Sequence, residues 1–124
     1  MSYVLAMVEN LFFQARIQAV AKHVGVEVKV VPTGEQLVTE AAAKPPALVI
    51  VDLNGRSGPI EAITRIHDGA NPPPIIGYLA HTQTDLAQQA AAAGCSQVLS
   101  QGRFTQELPV VLARARSEVE HQSP

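Results

Sequence analysis

Short apolar runs alternate with segments whose apolar residues recur at helical spacing along the chain. The runs predict strands, and the amphipathic segments predict helices. Strands are expected at 3–8, 26–31, 47–51, 75–80 and 97–99, and helices at 11–24, after Thr33, from Pro59, at 85–93 and at about 105–120. Strands alternating with helices form βαβ units with right-handed crossovers. The pattern therefore predicts a single α/β domain over 1–124, a doubly wound five-stranded parallel sheet with helices on both faces.

The most apolar run, Ala47–Val51, is followed directly by an aspartate, Asp52. So short and apolar a run is typical of a strand buried on both faces in the middle of a parallel sheet. Asp52 then lies at the carboxyl end of that strand, the edge at which open α/β sheets place their chemistry. It is the first candidate functional residue.

Composition excludes several classes of function. The chain is 47% hydrophobic and 16% charged with a net charge of -2, which indicates a globular protein without a basic footprint for nucleic acid. The single cysteine, Cys95, excludes an internal disulfide. The sequence shows neither a signal-peptide pattern nor an apolar stretch of membrane-spanning length. We therefore expect a cytoplasmic protein that binds neither nucleic acid nor membrane.

Three stretches resemble the receiver domain of response regulators, the flavodoxin-like module of two-component signalling. They are the acidic end of the first predicted strand, the run Ala47–Leu53, and the segment Ala93–Gln101. The last is similar to the Ala-Gly-Ala-x-x-(Tyr/Phe)-(Leu/Ile)-x-Lys-Pro run that closes receiver domains. The resemblance covers nearly the whole chain and implies a (βα)5 receiver-like fold.

In receiver domains, a phosphohistidine of a kinase donates its phosphoryl group to the aspartate that ends the third strand, beside a bound divalent metal. The resemblance implies Asp52 as the phosphoacceptor and Glu9, Asp52 and Asn54 as metal-binding residues. Asn10 stands where the second member of an acidic pair is expected, so the site has lost a charge and Mg²⁺ should bind weakly. Asn10 also suits the N-cap of the first helix.

Three switch positions depart from the receiver pattern. Leu79 stands where a Thr or Ser is expected, Gln101 where a Lys is expected, and Val98 where an aromatic reports phosphorylation. Leucine cannot donate a hydrogen bond to a phosphoryl oxygen, and glutamine brings no positive charge. His81 and Thr82, which follow the fourth predicted strand, are accessory candidates. The pattern indicates a degenerate receiver, or pseudo-receiver.

We therefore expect a regulatory domain, not an enzyme, that acts by protein–protein contact with a weakened or absent phosphorylation switch. Its partner would be a histidine kinase or a regulatory target, and the fourth and fifth helices offer a homodimer surface. The alternative is a true single-domain response regulator phosphorylated on Asp52. A haloacid-dehalogenase-type phosphatase is disfavoured because Asn54 replaces its second aspartate. A flavin or cobalamin carrier is disfavoured because Glu9–Phe12 replaces a phosphate-binding loop.

Overall fold

The computed structural model describes residues 3–80 and 83–122, with side chains up to Arg116. The described residues form five strands and five helices in strict alternation. The strands are β1 (Val4–Met7), β2 (Val28–Val31), β3 (Leu48–Asp52), β4 (Ile75–Leu79) and β5 (Gln97–Ser100). The helices are α1 (Leu11–Val24), α2 (Gly34–Ala43), α3 (Pro59–His67), α4 (Thr84–Ala93) and α5 (Gln101–Gln122).

The strands form one parallel sheet in the order β2-β1-β3-β4-β5. This confirms the predicted doubly wound five-stranded sheet. It also places the charged strand β2 at an edge and the apolar strand β3 at the centre, as the hydrophobic pattern indicates. No described helix is both long and apolar enough to cross a membrane.

The sheet separates two hydrophobic cores, because successive side chains of a strand point to opposite faces. Leu48 and Ile50 of β3 pack in the core beneath α1 and α5, and Val49 and Val51 pack in the core beneath α2, α3 and α4. The side chain of Asp52, two residues after Ile50, therefore lies on the α1–α5 side. This alternation decides which helices the site faces.

Local capping explains where several helices begin. Asn10 accepts a hydrogen bond from the Phe13 amide (3.0 Å), and Thr33 accepts one from the Gln36 amide (3.1 Å). Pro59 occupies the first turn of α3, where its missing N–H costs no helical hydrogen bond. The N-cap predicted for Asn10 is thus confirmed.

Helix α5 begins at Gln101, whereas the sequence predicts that it begins near residue 105. The predicted start of this helix is therefore wrong. The Ser100 hydroxyl accepts a hydrogen bond from the Arg103 amide at 3.2 Å, and this contact satisfies an amide that the first turn leaves free. Glycine at position 102 favours a loop in the sequence, but the cap at Ser100 outweighs its low helix propensity. Gln101 is consequently a helical residue.

Gly94, between α4 and β5, offers a test of packing at this junction. Its φ is 128°, and a Cβ atom there would lie 2.4 Å from Cγ of His67. We expect Gly94→Ala to lower the free energy of unfolding by about 2–4 kcal/mol, through backbone strain and overpacking. Gly102→Ala is the matched control because a Cβ atom meets nothing within 4 Å there. Urea titration of both variants is the measurement. Gly102→Ala should leave the free energy of unfolding unchanged or raise it, and equal effects of the two variants would contradict this account.

Candidate functional site

The carboxyl ends of β1 and β3 bring two predicted site residues together. Asp52 is the last residue of β3, and Glu9 follows β1 by two positions. The Asp52 carboxylate accepts a hydrogen bond from the Asn54 amide, and the Glu9 carboxylate accepts one from the Arg56 amide. Two acidic side chains are thus held at one edge of the sheet by backbone donors of the loop after β3.

Burial raises the pKa of Asp52 above its ordinary value, and the negative charge of Glu9 adds to this effect. The hydrogen bond from the Asn54 amide at 3.0 Å opposes the rise by stabilising the charged form, and the Glu9 backbone amide also lowers the pKa. The net direction is upward, so this half-buried carboxylate is less well solvated than a free one.

Asn54 joins the two loops that flank the site. Its Oδ1 accepts a hydrogen bond from the Ala80 amide at 2.7 Å, and its Nδ2 donates to Oε1 of Gln83 at 2.8 Å. The amide side chain therefore holds the loop after β3 against the loop after β4. Sequence reasoning missed this contact, and the predicted metal-binding role of Asn54 stays a prediction.

The oxygen donors at this edge suit a hard cation such as Mg²⁺, which proteins often hold through one or two carboxylates and water. Asp52 and Glu9 would provide those carboxylates, and Asn54 an amide oxygen. Among the described residues no group of three His, Cys, Asp or Glu side chains is close enough to hold a metal. The oxygen donors present are chemically compatible with Mg²⁺, and weak binding of the ion stays a prediction.

The side chains at the three predicted switch positions, Leu79, Val98 and Gln101, carry neither a hydroxyl nor an ammonium group. Leu79 is buried and Val98 partly buried in the core beneath α2, α3 and α4, and Gln101 is exposed at the start of α5. All three lysines of the chain precede residue 45. The accessory candidates His81 and Thr82 lie outside the described residues.

Tyr78 is a site residue that the sequence analysis missed. It is the register partner of Asp52 on β4, and its ring is 3% exposed. The ring stacks on Phe104 of α5 (centroids 4.8 Å apart) and contacts Phe13 of α1 (4.9 Å). Burial, followed by the charges of Asp52 and Glu9, raises the pKa of the Tyr78 hydroxyl. In the sequence, the one indication is that Tyr78 carries a hydroxyl within an otherwise apolar strand. Its pairing with Asp52 depends on the register of two strands, which cannot be read from either strand alone.

Comparisons with solved structures establish the fold. The chain is similar to a response regulator from Hahella chejuensis (18% identity, TM-score 0.83, covering 93% of this chain and 95% of the other). It is also similar to the chemotaxis response regulator CheY4 of Vibrio cholerae (20% identity, TM-score 0.78, covering 93% and 98%). A third is the receiver domain of NtrX from Brucella abortus (15% identity, TM-score 0.77, covering 92% and 98%).

No family model matches the sequence, and no curated protein matches it. The structural similarities nonetheless cover nearly the whole chain. The chain therefore has the flavodoxin-like (βα)5 fold of receiver domains, as the resemblance implied. At these identities the similarity concerns the fold, and the site must be judged from its own residues.

The raised pKa of Asp52 predicts a pH-dependent effect on stability. A carboxyl whose pKa is higher in the folded state costs folding free energy when it is ionised, and this cost disappears as the pH falls to the unfolded-state value. We therefore expect Asp52→Asn to be more stable than wild type at pH 7. The difference should vanish below about pH 4, near the pKa of an unfolded aspartate. Urea unfolding from about pH 3 to pH 8 measures this, and a variant that is less stable at pH 7 would contradict it.

Removal of the hydroxyl should affect stability differently at the two tyrosines. The Tyr3 hydroxyl donates to the Lys44 carbonyl at 2.8 Å, whereas the Tyr78 hydroxyl makes no hydrogen bond to the described residues. Tyr3→Phe should lower the free energy of unfolding by about 1 kcal/mol, and Tyr78→Phe should change it by less than about 0.5 kcal/mol. Chemical denaturation of both variants is the measurement. A large loss for Tyr78→Phe would show that its hydroxyl has a structural partner.

Proposed function

We propose that this chain is a receiver-type signalling domain that acts through protein–protein contact, with a weakened or absent phosphorylation switch at Asp52. The receiver fold and the position of Asp52 at the end of the central strand support the signalling assignment. The weakened switch rests on one observation. The acceptor Asp52 is retained, but Leu79 and Gln101 occupy the positions where the receiver resemblance expects a hydroxyl and an ammonium group.

Charge balance supports the weakened switch. A phosphoryl group carries about two negative charges, and here it would be added next to Glu9. A hydrogen-bond donor or cation must compensate this charge in a partly desolvated site. The Leu79 side chain lies in an apolar core, and Gln101 is neutral. A phosphoryl group on Asp52 should therefore be held poorly and hydrolysed readily.

The loop contacts of Asn54 support weak transmission. The Ala80 amide is bound by Asn54 before any phosphoryl group is present. A switch that moves the loop after β4 would have to break this hydrogen bond and the one to Gln83. Leu79 has no hydroxyl that could form a hydrogen bond to a phosphoryl group and so compensate for this loss. The unmodified arrangement is therefore favoured. The domain would then present one surface to its partner in both states.

The proposed partner is a protein, either a histidine kinase or a regulatory target, and the domain itself is not an enzyme. Helix α4 exposes Gln88, Gln89, Ala91 and Ala92, a surface with little charge. This surface supports the further proposal of a homodimer through α4 and α5. These glutamine and alanine side chains are uncharged, so contact between copies through α4 would need little desolvation of charge.

Incubation with acetyl phosphate and Mg²⁺, followed by intact mass measurement, tests the weakened switch. We expect a fractional, short-lived adduct of one phosphoryl group on wild type and none on Asp52→Asn. The reason is that the acceptor is retained while its usual stabilising groups are replaced. A stoichiometric adduct that persists after removal of acetyl phosphate would establish the alternative, a true phosphoacceptor response regulator.

A gain-of-function variant serves as the control for that experiment. Leu79→Thr combined with Gln101→Lys restores the hydroxyl and the positive charge. If the missing groups weaken the site, this double variant should raise the adduct level at least severalfold over wild type. No increase, in a variant that stays folded by circular dichroism, would show that another feature limits phosphorylation.

A further inference from the structure

Tyr78 and Asp52 lie side by side at the edge of the sheet. They are register partners on the neighbouring parallel strands β4 and β3. Each stands two residues after an isoleucine of the α1–α5 core, Ile76 and Ile50. Side chains two positions apart share a face of a strand, so Tyr78 and Asp52 project from the same face. The charge of Asp52 acts directly on the Tyr78 hydroxyl, as does that of Glu9.

The Tyr78 side chain is buried, yet its hydroxyl lacks a hydrogen-bond partner among the described residues. No fully buried side-chain oxygen or nitrogen of the described residues is unsatisfied, so this hydroxyl reaches solvent at the edge. The hydroxyl of Tyr3, the other tyrosine, donates a hydrogen bond to the Lys44 carbonyl. Because this hydroxyl has no partner among the described residues and lies near the charges of Asp52 and Glu9, it is available to a ligand of the acidic site.

The aromatic contacts fix where this hydroxyl can be. The Tyr78 ring lies within 10° of parallel to the Phe104 ring, and Phe13 covers it from α1. A ring packed between two helices has little freedom to rotate away. A tyrosine hydroxyl is protonated near neutral pH and can donate a hydrogen bond. Tyr78 is therefore a preorganised hydrogen-bond donor.

We propose that Tyr78 is a phosphoryl-binding residue of this site, whose hydroxyl donates a hydrogen bond to an oxygen of a phosphoryl group carried by Asp52. It would supply one of the contacts that Leu79 and Gln101 do not provide. The inference rests on the proposed function, since it concerns the phosphoryl group that a weakened switch still accepts. It assigns to Tyr78 a phosphoryl contact that the receiver resemblance places at positions 79 and 101.

The covalent step needs no group beyond a phosphodonor. A carboxylate oxygen of Asp52 attacks the phosphorus of acetyl phosphate, a new O–P bond forms, and the P–O bond to the acetyl group breaks. Acetate leaves with the electron pair, and no proton is gained or lost overall. Tyr78 stays protonated throughout and binds the transferred group.

Tyr78→Phe tests this role because it keeps the stacked ring and removes only the hydroxyl. With acetyl phosphate and Mg²⁺, we expect its steady-state adduct by intact mass to fall at least about fivefold below wild type, and its loss after removal of the donor to accelerate. A hydrogen bond to a charged group supports an effect of this size. Tyr3→Phe is the matched control and should phosphorylate like wild type. Thermal unfolding checks that both variants are folded.

Three results would overturn the inference, and they separate it from the proposed function. Equal, fractional adduct levels for wild type and Tyr78→Phe would remove the role of Tyr78 alone. If wild type forms no adduct, the role of Tyr78 is also overturned, but the proposed function stands as a domain whose phosphorylation switch is absent. A stoichiometric, long-lived adduct that is insensitive to Tyr78→Phe would overturn both proposals.

Discussion

Burial of β3 on both faces is the constraint on which the rest of the structure depends. Residues 48–51 are at most 5% exposed, and they alternate between the core beneath α1 and α5 and the core beneath α2, α3 and α4. A strand so apolar is stable only at the centre of a sheet with helices on both sides. That position brings Asp52 to the middle of the carboxyl edge, with the loops after β1 and β4 beside it. The hydrophobic effect thus determines where the acidic group stands.

The periodic features were predictable from the sequence because burial imposes them residue by residue. The apolar run before Asp52 indicated the central strand. The cap at Asn10 follows from local chemistry alone. Each of these depends on neighbours in the sequence, and each is confirmed by the structure.

The features that the sequence could not provide depend on contacts between distant segments. The pairing of Asp52 with Tyr78 is a matter of register between two strands, each of which would be equally apolar in another alignment. The start of α5 was misplaced because a single hydroxyl at Ser100 outweighs a nearby glycine. The bonds of Asn54 to Ala80 and Gln83 join residues 26 and 29 positions apart. Metal binding, the partner and the homodimer stay predictions.

The Asn54 bonds have a consequence for how this domain folds and opens. They close a ring of chain that contains α3 and β4, so we expect them to form after that helix has docked and that strand has paired. Closing a long ring of chain costs conformational entropy, and packing contacts that form beforehand reduce this cost. The bonds therefore belong to a late step of folding and to an early step of local unfolding. Hydrogen exchange at the Ala80 amide would accordingly report how often the edge of the sheet is open to solvent.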